Sequence, residues 1–123
     1  MIITSEGLLA FWGKASPGRD EPSWHPLVWH LLDVAAVGER FLTLRPTIAK
    51  AIALDLDWPE ELAYRAIPAM LALHDLGKFT PAFQAKVPEH WPANVLGPKP
   101  ENVGGDPGHG RSGWTLFEAL LDQ

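Results

Sequence analysis

Residues 70–79 read MLALHDLGKF. An apolar run ends in the doublet His74-Asp75, and Gly77 and Lys78 follow closely. Neutral imidazole and carboxylate are the ligand pair that borderline divalent metals such as Mn, Fe, Co, Ni or Zn accept. Neighbours on a helix point about 100° apart, but at a helix end both side chains can turn towards one ion. The carbonyl end of a helix also carries partial negative charge, which favours a cation there. Lys78, a turn further on, is placed to meet an anionic phosphate oxygen. Such a doublet taken alone is more often a cap or a surface feature, so a second observation has to carry the metal.

That observation lies upstream. A helix is predicted from near Pro26 to about Leu44, and Pro46 forbids it from continuing far. Leu27, His30, Leu31, Val34, Val37 and Phe41 recur at three- and four-residue steps and share one face. His30 therefore sits inside an apolar stripe. The helix that leads to the doublet is predicted to run through Glu61 to Leu76. Asp57 and Glu60 resemble a capping box, Pro59 falls in the first turn, and Gly77 is a natural stop. Pro68 is expected to kink or split this helix. Ile67, Met70, Leu71 and His74 share its face. A histidine on a buried stripe is often just a satisfied core residue. Two stripes that each carry one histidine, packed face to face, would bring His30 and His74 together. Three protein ligands with open positions for water is the layout of a catalytic ion. Asp33, which could hold a ligand's second ring nitrogen, reads better as a solvated helix residue. His25 reads as structural, and His90, beside Trp91 in a Pro-rich stretch, as exposed.

The rest of the chain reads as short helices and Pro/Gly loops, with no convincing strand. Ser5 is expected to cap a helix over Glu6–Trp12 with Gly13 as its stop. Lys14 to Ser23 reads as a polar loop, Thr47 to Leu54 as a short helix, and Thr80-Pro81 as the start of another to about Val87. Pro88 to Gly110 holds five Pro and five Gly and is expected to be a long mobile loop, about 88–110. Ser112 is expected to cap a last helix, Trp114 to Leu121. That helix reaches the final Leu-Leu-Asp-Gln with its apolar face still running, which reads as a cut. Within the loop, glycines on both sides of His109 let its imidazole approach a partner closely. The helix start that follows offers amide N–H groups to an anion, and Arg111 adds a fork that matches phosphate. On the residues alone His109 stays open between a ligand and a flexible-loop histidine.

Bulk properties narrow the classes. The chain has 123 residues, 46% of them hydrophobic, with 6 Trp, which is material for one small domain or a piece of a larger one. No apolar run approaches the roughly 18 residues needed to cross a bilayer. The start MIITSEGLLAFW lacks a basic region and a cleavage site, so it does not read as a signal peptide. There is no Cys, which removes disulfides and thiolate ligands and leaves the cytoplasm as the default address. A formal charge of −5 argues against a generic phosphate-gripping surface. Bound divalent cations would reverse the sign locally.

Four separated words then agree in order and spacing: Phe11-Trp12-Gly13-Lys14; His25-Pro-Leu-Val-Trp-His30-Leu-Leu-Asp33; His74-Asp75-Leu-Gly-Lys78-Phe79; and His109-Gly-Arg-Ser-Gly. The chain resembles the HD superfamily of metal-dependent phosphohydrolases, and within it the HD nuclease domain of the type I CRISPR-associated helicase-nuclease. The resemblance implies an all-α HD-domain helical bundle over residues 1–123, as an N-terminal portion incomplete at the C-terminus. It implies a metal-dependent endo- or exonuclease on single-stranded DNA in type I CRISPR interference. A superfamily 2 helicase, on the same or a separate chain, would feed the strand, and an RNA-guided surveillance complex would recruit the enzyme. His30, His74 and Asp75 match the family's first-metal ligands, and His109 matches a second-metal ligand. Lys78 matches a basic residue near the scissile phosphate, so Asp75 and Lys78 are the catalytic candidates, with Lys78 and Arg111 facing phosphate. One or two divalent transition-metal ions are implied, Mn, Ni, Co or Fe ahead of Zn or Mg, activating water for attack on phosphorus. The family supplies a further His pair and a late Asp that this sequence lacks, and no GxxxxGK[ST] loop is present. Weak or no turnover is therefore expected from these residues alone. Two other classes fit the same residues. One is an HD phosphohydrolase acting on nucleotides. The other is a truncated, non-catalytic module that binds a partner, or self-associates, through the last helix.

Overall fold

The computed structural model describes residues 4–16 and 23–121. The N-terminal MII, residues 17–22 of the expected Lys14–Ser23 loop and the last two residues lie outside that description, as do the side chains of Ser16, Leu120 and Leu121. The chain divides into two compact units, Met1–His30 with Asp75–Gln123, and Leu31–His74.

In the first unit, α1 covers only Ser5–Leu8, and its cap is Thr4, whose hydroxyl accepts the Gly7 N–H. The expected helix to Trp12 ends at Leu8, and strand β1, Trp12–Ser16, takes in the start of the expected Lys14–Ser23 loop; it pairs antiparallel with β2, Ser23–Pro26, which begins at that loop's last residue. The all-helical expectation is corrected by this one hairpin; the described residues are otherwise mainly helical. Arms of four and five residues are too short to show a period of two, and tertiary bonds hold the pairing. The Leu27 N–H donates to the Phe11 carbonyl at 2.7 Å. The Trp12 N–H donates to Gln84 Oε1 at 3.1 Å. The register is irregular between Trp12 and Lys14, so Gly13 marks a bulge rather than a helix stop. A Cβ there would lie 3.0 Å from Leu27 Cα and 3.2 Å from His30 Cβ. Glycine thus lets the strand lie against the first turn of the next helix.

That helix, α2, spans Leu27–Leu44, as the apolar period indicated. Its residues from Leu31 onward belong to the second unit, with α3, Pro46–Asp55, and α4, Glu60–Leu73. Pro46 supplies the first turn of α3. Small buried residues, Ala49, Ala53 and Ala63, let α3 and α4 pack against each other. The capping box is not formed. Asp57 has φ +53, outside the extended region an N-cap uses, and α4 starts after Pro59 with no side-chain cap. The helix stops at Leu73, short of the expected Leu76, and Pro68 sits inside it without dividing it. The expected stripes are only partly buried: Leu31 is buried, whereas Val37, Phe41 and Met70 are exposed.

Back in the first unit, Gly77 lies within a 3-10 turn, Leu76–Phe79, and does not end a helix. Thr80 then caps α5, Pro81–Gln84. The stretch expected as loop from Pro88 contains a 3-10 turn, Pro88–His90, and α6, Ala93–Leu96. Its irregular remainder is tied down by Asx turns at Asn102 and Asp106 and by a Lys86–Asp106 ion pair. The last helix, α7, spans His109–Leu121. It begins five residues before the expected Trp114, and Ser112 lies inside it. Two glycines in the first turns lower helix propensity, but packing overrides this. A Cβ on Gly77 would run into the His109 carbonyl oxygen and lie 2.6 Å from Gly113 N, so the two backbones meet at glycines. The core of this unit is Phe11, Trp12, Leu27 and Phe83, with Phe11 edge-on to Phe79 and Trp12 against Phe83. Among the described residues, no helix is long and apolar enough to cross a membrane.

Two measurements follow from these contacts. Gly77→Ala should cost about 2–3 kcal/mol by overpacking the crossing with α7, read as a lower urea midpoint. The Asp106 carboxyl is held below the ordinary aspartate range, first by Lys86 and then by the Gly108 N–H, against partial burial. Its stabilising pair is therefore present above the unfolded aspartate value of about 3.9 and is lost as pH falls through the lower folded value. Lys86→Ala should raise the Asp106 titration towards the ordinary range in a carboxyl-detected NMR experiment.

Candidate metal centre

Asp75 is the centre of the site. It stands at the start of the Leu76–Phe79 turn but makes no side-chain cap there, so its carboxylate is directed elsewhere. It is 4% exposed. A buried carboxylate needs partners, and three nitrogens supply them. His30 Nε2 lies 3.1 Å from Oδ2, Lys78 Nζ lies 2.7 Å from the same oxygen, and His109 Nε2 lies 3.2 Å from Oδ1.

Each partner is placed by a local feature. His30 ends the first turn of α2, which the Phe11–Leu27 bond and the bulge at Gly13 hold against β1. Burial pushes the His30 imidazole below its ordinary pKa, against the opposing effect of the hydrogen bond it donates to Asp75. The ring is therefore neutral at neutral pH, the form that offers a lone pair to a metal. His109 opens α7, where the Gly77–Gly113 crossing sets the helix, and its ring stands edge-on to Phe83. Lys78 also donates to the Gly13 carbonyl at 3.3 Å and lies over the Phe83 ring.

His74 is exposed and does not sit in a packed stripe as expected. Its nearness to Asp75 comes from the peptide bond between them. Its Nδ1 lies 2.6 Å from the Leu71 carbonyl. A carbonyl only accepts, so Nδ1 carries the proton and Nε2 is the ring nitrogen that could serve a metal. One ligand atom from each of His30, His74 and Asp75 lies within 4.8 Å of the others. Imidazole nitrogens around a buried carboxylate are donors that suit a divalent transition metal, so the residues fit the ion that the resemblance implied.

Of the remaining candidates, Arg111 is exposed in the first turn of α7, two residues after His109. Asp33 is exposed on α2. His25 lies in β2 opposite Lys14, and His90 lies against the Trp24 ring.

Sequence reading missed Gln84. Its side chain is fully buried, and it ties the two halves of the site's scaffold. Oε1 accepts the Trp12 N–H, Nε2 donates to the Trp12 carbonyl at 2.9 Å and to the Lys78 carbonyl at 2.8 Å, and its own carbonyl accepts the Trp12 indole N–H. The one available signal was a polar residue set among Phe83 and Ala85 in a short helix, and nothing in that pattern says what it bonds.

A buried carboxylate beside imidazoles, with a His-Asp doublet between helical elements, makes a candidate metal centre of the HD type. The family model described as "Cas3, HD domain" matches residues 12–123, and the chain belongs to that family. It is 42% identical over 86 residues to a CRISPR-associated endonuclease/helicase Cas3 of Thermus thermophilus, covering 68% of this chain and 9% of that protein. It is 34% identical over 86 residues to the protein of the same name from Escherichia coli, covering 66% of this chain and 9% of that one. The matched region thus spans about a tenth of the length of these relatives. No solved structure gives a significant match.

Gln84→Leu keeps the volume but leaves backbone groups of Trp12 and Lys78 without partners. It should lower stability by about 3 kcal/mol, measured by denaturant unfolding.

Proposed function

We propose that this chain forms the front part of a metal-dependent nuclease domain that hydrolyses phosphodiester bonds of single-stranded DNA in type I CRISPR interference. The observation that carries the reading is the buried Asp75 carboxylate with His30 and His109 on its two oxygens and His74 joined to it. Membership of the Cas3 HD family supports it, as do relatives named endonuclease/helicase.

In this reading His30, His74 and Asp75 hold the first ion and His109 contributes to a second. When bound, a divalent ion supplies Lewis acidity to water and to the phosphate oxygens. Asp75 keeps the imidazoles oriented and, with its charge, favours the cation. The neutral state of His30 keeps its ring available as a ligand. Lys78 sets a positive charge beside the carboxylate, where an anionic phosphate oxygen would gain a partner. Arg111, exposed in the first turn of α7, offers a bidentate fork to the same backbone. With a net charge of −5, the chain has little non-specific grip on DNA. Delivery by a helicase and recruitment by an RNA-guided complex complete the reading. Trp114 and Leu116 are exposed on α7 and offer apolar area to such a partner or to another copy of the chain.

The decisive experiment reads metal and cleavage together. The wild-type chain should take up Mn²⁺ or Ni²⁺ in elemental analysis after dialysis, and His74→Ala combined with Asp75→Ala should lose it. The double variant should also lose any metal-dependent degradation of single-stranded DNA. Cleavage that survives in the variant would place the chemistry elsewhere, and activity on mononucleotides with none on single strands would make this a nucleotide phosphohydrolase.

A further inference from the structure

Strand β2 carries Trp24 just upstream of the metal centre. Its ring is 41% exposed and lies 5.9 Å from the His90 imidazole, with the two planes 32° apart. Trp24 and His90, with Glu89, Trp91, Pro92 and Asn94, line an open cavity of about 270 Å³. The cavity lies wholly within the first unit. Trp91 is a fixed wall, because its indole N–H donates to the Gly97 carbonyl at 2.8 Å. Pro92 is buried behind it. None of these residues takes part in the metal centre.

The lining combines flat π faces with one carboxylate and one carboxamide. A carboxylate can only accept hydrogen bonds, whereas a carboxamide both donates and accepts. A matching ligand is planar and aromatic, carries N–H donors on its edge, and bears no negative charge at that edge. Glu89 would repel a phosphate placed in the cavity, and a sugar presents hydroxyls and C–H bonds rather than a π face with N–H donors on its edge. A nucleobase meets all three requirements. Six residues separate Trp24 from His30, so the two Cα atoms are at most about 20 Å apart. One short stretch of single strand can reach both.

We infer that this cavity is a nucleobase-binding subsite for single-stranded DNA. Trp24 supplies the stacking face, and Glu89 favours guanine, whose N1–H and N2–H lie side by side. Stacking tolerates any base, so the subsite holds the strand and Glu89 adds a preference. The inference rests on the proposed single-strand substrate, but binding in the cavity can be measured without cleavage.

The test uses the whole chain in chelator, with fluorescence anisotropy of labelled single-stranded oligonucleotides of equal length. One carries guanines, one thymines, and one abasic sites. The wild type should bind the guanine strand tightest and the abasic strand weakest. Trp24→Ala should weaken the guanine strand about tenfold and leave the abasic strand unchanged. Trp24→Phe, which keeps a stacking face, should recover most of the loss. Glu89→Gln should narrow the gap between guanine and thymine. Equal binding of abasic and guanine strands, unchanged affinity in Trp24→Ala, or no binding of any strand would each overturn the inference. Metal-dependent cleavage by the wild type is scored separately. Cleavage without base-dependent binding removes the subsite and leaves the nuclease reading standing. NMR shifts from dGMP confined to Trp24, His90 and Trp91, in a chain that takes up no Mn²⁺ or Ni²⁺, keep the subsite and remove the metal-dependent nuclease reading.

Discussion

A carboxylate that is removed from water must find charge or hydrogen bonds, and Asp75 finds nitrogens from three segments: α2, its own turn, and α7. Leaving such a group unpaired costs several kcal/mol. The elements that bring the nitrogens in are therefore held to that position. The Phe11 carbonyl fixes the start of α2, the bulge at Gly13 lets the strand lie on it, and Gly77 lets α7 cross the turn. Each device acts on backbone, so the geometry around Asp75 does not depend on flexible side chains alone.

Gln84 links these devices. One buried carboxamide satisfies backbone groups of β1 and of the turn that carries Lys78. Strand and turn cannot shift separately without stranding a polar group in the core. Trp12 packs on Phe83 beside the same bonds, so apolar burial and polar satisfaction constrain one register. Buried networks of this kind are favourable when every member is satisfied.

Periodicity made α2, α3 and the approach to His74 readable, because long helices repeat their apolar positions. It could not show the hairpin, where pairing depends on Gln84, 72 positions from Trp12 in sequence. The early start of α7 was hidden for a similar reason: Gly110 and Gly113 look like loop residues until Gly77 is seen against the backbone of His109 and Gly113. The site residues were legible as residue types, and His30, Asp75, Lys78 and His109 do converge. The route to His74 was not, since covalent adjacency to Asp75 brings it near rather than two stripes meeting. Glu89, His90 and Trp91 read as an exposed Pro-rich stretch, because a cavity assembled with a distant strand leaves no local pattern.

The ion pair between Lys86 and Asp106 closes the long run between α5 and α7. His109 is the next structured residue after that closure. The histidine that completes the carboxylate's surroundings is thus supplied last along the contour, after a wide loop has been drawn shut. Closing a wide loop has an entropic cost that local helices do not incur. Chains dominated by such distant pairings fold slowly. Helices α2 to α4 draw on near neighbours, so low contact order favours them ahead of the docking of α7. A cation arriving before that docking would meet His30, His74 and Asp75 but not His109, so only a requirement for His109 would report the final step of folding.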